Sequence, residues 1–302
     1  MKYQLRHTTR YGYSGAVTLS HNEARLQPRE LPWQQSRQMR LEISPLPARL
    51  RARRDFFGNH VSYFSIQELH TSLEVIATSR ITTSSRPQPD PARPTPWETA
   101  ANIGAPGKLQ APPTAVADEL EARLFRLDSD FIRQDPALAN YARDSFTARR
   151  PLVEAVLAFN QQLFTEFAYD PEHTTIATPI LDVLQSRRGV CQDFAHLAIG
   201  CLRSLGLAAR YVSGYLETLP PPGKPKLQGV DATHAWLAVF IPGWGWLEID
   251  PTNGSLPDQR YIILGWGRDF ADVTPLKGVM HGGGNDHPEV AVDVIPLCED
   301  DQ

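Results

Sequence analysis

The sequence predicts a two-part chain: an all-β, sandwich-like N-terminal domain followed by an α+β domain. Three observations carry that expectation. Residues 1–83 hold short runs in which apolar and polar residues alternate. From residue 115 the apolar spacing changes to three and four, and later returns to strand-like runs. Between the two regions, residues 84–114 concentrate prolines, from Pro87, Pro89 and Pro91 to Pro112 and Pro113. Such a breaker zone reads as a domain linker, and residues 115–302 then form the second domain.

In the first region the runs 3–7, 39–43, 60–66 and 72–79 read as strands. Ser14-Gly15, Pro45 to Pro47 and Phe57-Gly58-Asn59 read as the turns between them. In the second region helices are expected over 115–127 and 151–167, where Val153, Val156, Leu157, Leu163, Phe164 and Phe167 fall on one side. Pro151 suits a first helical turn. A third helix is expected over 191–205, with Gly206 at its C-terminal cap position. Strands are then expected over 208–215, 235–241, 246–250 and 261–264.

Composition narrows the function. Of the 302 residues, 41% are hydrophobic and 21% charged, as in an ordinary globular protein. The formal net charge of −4 offers no electrostatic footprint for nucleic acid. No run approaches the eighteen apolar residues of a membrane span, and Met1 to His7 lack the apolar core of a signal peptide. A cytoplasmic protein without membrane or nucleic-acid partners is the expectation. The cysteines are Cys191, Cys201 and Cys298. They are too few for a disulfide framework, and without a C-x-x-C pair a thiolate zinc cage is not expected.

One of those thiols sits in a punctuated motif, Gly189-Val190-Cys191-Gln192-Asp193-Phe194-Ala195-His196. The helix begins near Cys191, and its apolar stripe runs through Phe194, Leu197, Ala198, Cys201, Leu202 and Leu205. At 100° per residue Cys191 lies about 60° from Phe194, on the side turned toward the protein body. A sulfur there meets unpaired N–H groups and the positive end of the helix dipole, both of which favour thiolate. His196 lies about 140° around the wheel from Cys191 and points elsewhere, so it reads as structural. Cys201 reads as a buried, inert thiol.

A second cluster runs from Asp231 through Thr233-His234-Ala235-Trp236 to Phe240, turns at Pro242-Gly243-Trp244-Gly245, and returns through Trp246 to Asp250. His234, Trp236, Ala238 and Phe240 share one face of the first arm. Register decides whether Asp250 reaches His234. If Phe240 opposes Trp246, Trp236 opposes Asp250, and Asp250 lies diagonal to His234 on the same face. A four-residue loop, 242–245, puts the two on opposite faces, so a loop of three or five residues, or a bulge, is expected. Pairing of Leu237 with Asp250 removes the aspartate from the chemistry. Cys191, His234 and Asp250 then supply a thiol, a base to hold it as thiolate, and an acid to orient the base.

At these residues the chain resembles the transglutaminase-like superfamily, in its bacterial branch with an N-terminal β domain. The segments that carry the likeness are 189–196, Ala209-Arg210-Tyr211-Val212-Ser213-Gly214-Tyr215, 233–236, Glu248-Ile249-Asp250-Pro251-Thr252 and 267–273. Arg6 to Tyr11 and Asp55 to Asn59 resemble its N-terminal domain. The resemblance implies a papain-like α+β core, with the nucleophile helix packed on an antiparallel sheet. It implies the triad Cys191, His234 and Asp250, and thiol acyl transfer at an amide carbonyl through a thioester, without metal or other cofactor. The substrate is then a peptide or amide, and the enzyme a protease or amidase. The alternatives are a transglutaminase-type acyltransferase that passes the acyl group to an amine, and a non-catalytic binding module.

Other residues are candidates for narrower roles. The backbone N–H of Cys191, with Gln192 or Tyr169, could stabilise an oxyanion. Asp193 could pair with Arg187 or Arg188, or cap the helix. Tyr215 could touch substrate, and Trp236, Trp244, Trp246 and Trp266 could line a cleft, although tryptophans are more often core or rim. His281-Gly282-Gly283-Gly284-Asn285-Asp286-His287 offers three metal-ligand types, but glycine gives them no fixed geometry and the segment reads as a loop.

Overall fold

The computed structural model describes residues 1–91, 93–101, 113–218, 233–284 and 288–297. The N-terminal region contributes β1 (Lys2–Ala24), β2 (Gln34–Ser44), β3 (Arg49–Arg54), β4 (His60–Ile66) and β5 (His70–Thr83), paired antiparallel in the order β2-β5-β1-β4-β3. β1 is long enough to serve two pairing zones. Residues 2–17 pair with β5 and residues 20–24 with β4, and the register shifts between Gly12 and Val17. Ser14-Gly15 therefore marks a break in the ladder inside one strand, where the sequence reads as a turn between two.

The connector then leads into α1 (Trp97–Ala101), α2 (Pro113–Leu124), α3 (Pro136–Ala142) and α4 (Leu152–Glu166). Next come the two-residue β6 (Ala168–Tyr169), α5 (Ile180–Ser186), the two-residue β7 (Arg188–Gly189) and α6 (Cys191–Ser204). α3 starts at a Pro whose preceding Asp135 accepts from the Ala137 N–H at 2.7 Å, an N-cap that fixes its first turn. α6 is the core helix. Phe194, Leu197, Ala198, Cys201 and Leu202 are all buried, and Gly206 follows with φ +83°. At Gly200 a Cβ would come within 2.9 Å of Ile180 and 3.1 Å of Leu138, so glycine lets α3 and α5 lie close against α6.

The second sheet holds β8 (Ala209–Leu216), β9 (Thr233–Ile241), β10 (Gly245–Ile249) and β11 (Tyr261–Gly267), antiparallel in the order β10-β9-β8-β11. Its two faces bury against different partners. Tyr211, Ala235, Leu237 and Val239 join the cluster around α6. Val212, Trp236, Ala238, Tyr261 and Ile263 pack instead with Leu31 of the N-terminal region. The N-terminal region also occupies the β11 edge with two amide side chains. Gln34 exchanges hydrogen bonds with the backbone of Ile263 (2.7 and 2.8 Å), and Asn59 does so with that of Trp266 (3.0 and 2.8 Å). Each pair imitates a ladder rung and satisfies an edge that would otherwise be open.

After α7 (Phe270–Val273), β12 (Leu276–Gly282) and β13 (Glu289–Pro296) return to the first sheet. β12 pairs with residues 17–24 of β1 and β13 with residues 3–10. The division into 1–83 and 115–302 thus differs from the sheets, because the last strands complete the N-terminal one. His281 and Gly282 end β12, whereas the sequence reads 281–287 as loop; Asn285, Asp286 and His287 lie outside the described residues, as do Cys298 and Asp231.

Candidate active site

Local chemistry places the sulfur. Arg187 closes α5 in the left-handed region (φ 59°), which turns the chain so that Arg188–Gly189 pair with Ala168–Tyr169. At Gly189 a Cβ would lie 2.7 Å from the Asp193 carboxylate, so only glycine fits beneath that side chain. Asp193 accepts from the Val190 N–H at 2.8 Å and from the Thr174 hydroxyl at 2.6 Å. It caps the helix. Arg187 and Arg188 pair with Glu166 and Asp170 instead. Cys191 is the first residue of α6 and is partly exposed. The first intrahelical bond runs from Phe194 N–H to Val190 C=O, so the N–H groups of the preceding turn have no helical acceptor.

The hairpin has the register on which the aspartate depends. Phe240 opposes Trp246, Leu237 opposes Ile249, and the loop is the three residues Pro242 to Trp244. Asp250, the next residue after β10, is diagonal to His234 and accepts from its Nε2 at 2.7 Å. The Cys191 side chain lies close enough to the same imidazole to raise its pKa. With Nε2 held by the carboxylate, Nδ1 is the nitrogen left for the sulfur.

Asp250 is fully buried, and its carboxylate is saturated. Oδ2 accepts from His234, from the Tyr261 hydroxyl at 2.8 Å and from the Asn253 amide at 2.7 Å. Oδ1 accepts from the N–H groups of Thr252 (2.9 Å) and Asn253 (3.3 Å). Burial alone favours the neutral acid, but these donors and the imidazole outweigh it and hold Asp250 below the usual carboxylate range. On His234 burial opposes charge. The hydrogen bond to Asp250 and the nearby Cys191 reverse that effect and push its pKa up to about 10. A buried carboxylate beside a thiol therefore favours imidazolium at neutral pH.

Several sequence candidates lie elsewhere. Tyr215 is fully buried between the two sheets, where its hydroxyl meets His7 Nδ1 at 2.9 Å; it is an interface residue and not a substrate contact. Trp236 is also fully buried, under the His234 ring (centroids 5.8 Å, 28° apart), so it cannot touch substrate. Trp246 and Trp266 enclose the Arg210 guanidinium at 4.3 and 3.7 Å, a packing role. Tyr169 is near enough to Cys191 to feel its charge. Tyr169 is 60% exposed, and burial together with the Cys191 charge raises its hydroxyl pKa. Gln192 follows Cys191 on α6 and is half-buried. His196 is buried, accepts from the Phe270 N–H at 3.2 Å and stacks on Phe131. Burial drives its pKa down to about 4. Among the described residues no three His, Cys, Asp or Glu side chains converge as a metal site.

Sequence reasoning missed Asn253 and Tyr261. Asn253 had a readable signal, since Asp-Pro-Thr-Asn is a turn in which an Asp side chain takes the following N–H groups. Tyr261 had none. It arrives from the far edge strand of the sheet.

Residues 3–82 match the bacterial transglutaminase-like N-terminal region, and residues 139–251 match the transglutaminase-like superfamily. An uncharacterized protein of Mycobacterium tuberculosis is 43% identical over 305 residues, spanning 98% of this chain and 93% of its own. A protein-glutamine gamma-glutamyltransferase of Pseudomonas aeruginosa is 34% identical over 155 residues, which is 49% of this chain and 23% of that protein. The crystal structure of a proposed cysteine protease from Cytophaga hutchinsonii shares the fold, with a TM-score of 0.72 at 19% identity, over 99% of this chain and 92% of that one. With α6 packed on an antiparallel sheet behind a β-rich N-terminal region, the chain belongs to the transglutaminase-like superfamily.

Proposed function

We propose that the protein is a cysteine-dependent hydrolase of an amide or peptide bond. The observation that carries this reading is His234, hydrogen-bonded to a fully buried, five-fold hydrogen-bonded Asp250 and with Cys191 near enough to act on its charge. In the reaction Cys191 attacks the carbonyl carbon as thiolate. The tetrahedral oxyanion that forms lies near the free N–H groups at the start of α6, with Tyr169 and Gln192 as side-chain donors. The C–N bond breaks as the His234 imidazolium protonates the departing amine, leaving a thioester on Cys191. Water then adds to the thioester while His234 takes its proton; the C–S bond breaks and the acid leaves. Asp250 keeps the imidazole in one orientation and tautomer throughout.

Intact-mass spectrometry with a peptide library tests this. A covalent adduct on the wild type that is missing from Cys191→Ala supports the reading, and no adduct from any peptide counts against it. Transfer to an amine is the second reading, motivated by the partial likeness to the Pseudomonas protein. Adding a primary amine during turnover separates the two. Free acid as the main product supports hydrolysis, and an amide of the added amine supports transfer.

A further inference from the structure

The catalytic histidine rests on an indole, and that indole is tied to the connector between the two regions. Trp236 Nε1 donates to Glu248 Oε2 at 2.7 Å. The same oxygen takes a hydrogen bond from the Arg86 guanidinium, and both side chains of this ion pair are buried. The other arm of Arg86 donates to the backbone carbonyl of Tyr261 at 2.6 Å. Tyr261 is the residue whose hydroxyl holds Asp250, and its ring meets Trp236 edge-on at 5.4 Å. One guanidinium therefore braces β10 through Glu248 and β11 through Tyr261, and both lead to the His234–Asp250 pair.

The start of the connector is itself pinned. The Ser84 N–H donates to Trp33 C=O at 2.9 Å, the Thr83 hydroxyl to Gln259 C=O at 2.7 Å, and the Gln259 amide to Ser85 Oγ at 3.0 Å. Among the described residues the groups that face His234 are Cys191 from α6, Asp250 and Asn253 from beyond β10, and Tyr261 from β11; Trp236, which stacks on His234, holds Glu248.

We propose that Arg86 is a positioning residue for the catalytic histidine, acting through Glu248 and Trp236, and so links the N-terminal region to the reactivity of Cys191. The inference rests on the triad reading above. Physically, an indole whose N–H is locked to a braced carboxylate cannot tilt, and the imidazole lying on it keeps its alignment with sulfur and Asp250. Release of Arg86 frees Glu248, and the platform loosens.

The test needs no substrate. The second-order rate of Cys191 carbamidomethylation by iodoacetamide is measured by peptide-resolved mass spectrometry at pH 6.5 on folded protein, well below the lowest melting temperature of the set. Arg86→Met is expected to slow it at least five-fold. Trp236→Phe, which keeps an aromatic face but removes the Nε1 donor, is expected to slow it by a similar factor. The double variant is expected to be no slower than either single one, because the two act in series. A general loss of structure would not produce that non-additivity. Wild-type rates in folded Arg86→Met, or losses that multiply in the double variant, overturn the proposal. If Arg86→Met does not fold, a wild-type rate in Trp236→Phe overturns it. Failure of the triad reading is distinguishable: there, His234→Ala reacts as fast as wild type.

Discussion

Two histidines of this chain, one buried and one nearly so, are held in opposite states. His196 is five residues from Cys191, stacks on Phe131 and accepts from the Phe270 N–H; burial takes its pKa down to about 4. His234 is 43 residues from Cys191 in sequence, yet it bonds a buried carboxylate and lies near the thiol, and its pKa rises to about 10. Burial penalises charge in both. The partners decide the outcome: a neutral donor in one pocket, an acid and a thiol in the other. Sequence proximity to Cys191 is thus no guide to which imidazole lies near it. The helix carries one histidine away from the sulfur, while the sheet brings the other to it.

The sharpest contrast between the pockets comes from deletion. Cys191→Ala is expected to abolish acyl-enzyme formation, and His234→Ala to lower turnover by about 10³-fold. His196→Gln is expected to retain turnover and lower only the melting temperature. Stopped-flow or mass-resolved thioester formation reads both effects, and a large catalytic loss in His196→Gln would break the contrast.

Asp250→Asn comes next, with a loss of about 10³-fold, because an amide cannot serve a carboxylate's role toward the imidazole. Tyr261→Phe removes one of three donors to Asp250 Oδ2 and leaves the other two, so a loss of about ten-fold is expected in the same assay.

The pH dependence of stability should run in opposite directions for the two sites. His234 has a raised folded pKa. Its contribution is complete below the unfolded value of about 6.5 and is lost as pH rises through about 10. His196 has a depressed one, so its contribution is present above about 6.5 and is lost as pH falls through about 4. His7, also pushed down to about 4 by burial, shares the acid limb. Melting temperatures across pH should therefore show a flatter alkaline limb in His234→Gln and a flatter acid limb in His196→Gln. The smallest effect belongs to Tyr215→Phe. It loses the hydrogen bond to His7 and about 1 kcal/mol of stability by urea titration, with turnover unchanged.

Periodicity made the long elements legible. The bounds of α4 and α6 follow their apolar spacing, though Phe164 of α4 is exposed, and the three-residue β9–β10 loop is one of the alternatives parity left open. α3 and α5, with seven residues each, are shorter than two full periods of a recognisable stripe and went unread. β12 and β13 went unread because pairing with β1 spans more than 250 residues and leaves no local mark. In the candidate site, motif and spacing singled out Cys191, His234 and Asp250. The supports did not. Tyr261, Glu248 and Arg86 act through contacts made only once both sheets are assembled. Tyr215 and Trp236 misled because a residue on the correct strand face can be fully covered by another region of the chain.

The pairing of thiol, imidazole and carboxylate is tested most directly by titrating the histidine rings. In protein labelled with 15N at histidine, with signals assigned through His234→Gln and His196→Gln, His234 should stay protonated through neutral pH and titrate near 10. His196 should stay neutral until about pH 4. In Cys191→Ala the His234 midpoint should fall, since one of its stabilising partners is gone. A His234 ring that titrates near 6.5 and ignores the loss of Cys191 would contradict the pairing.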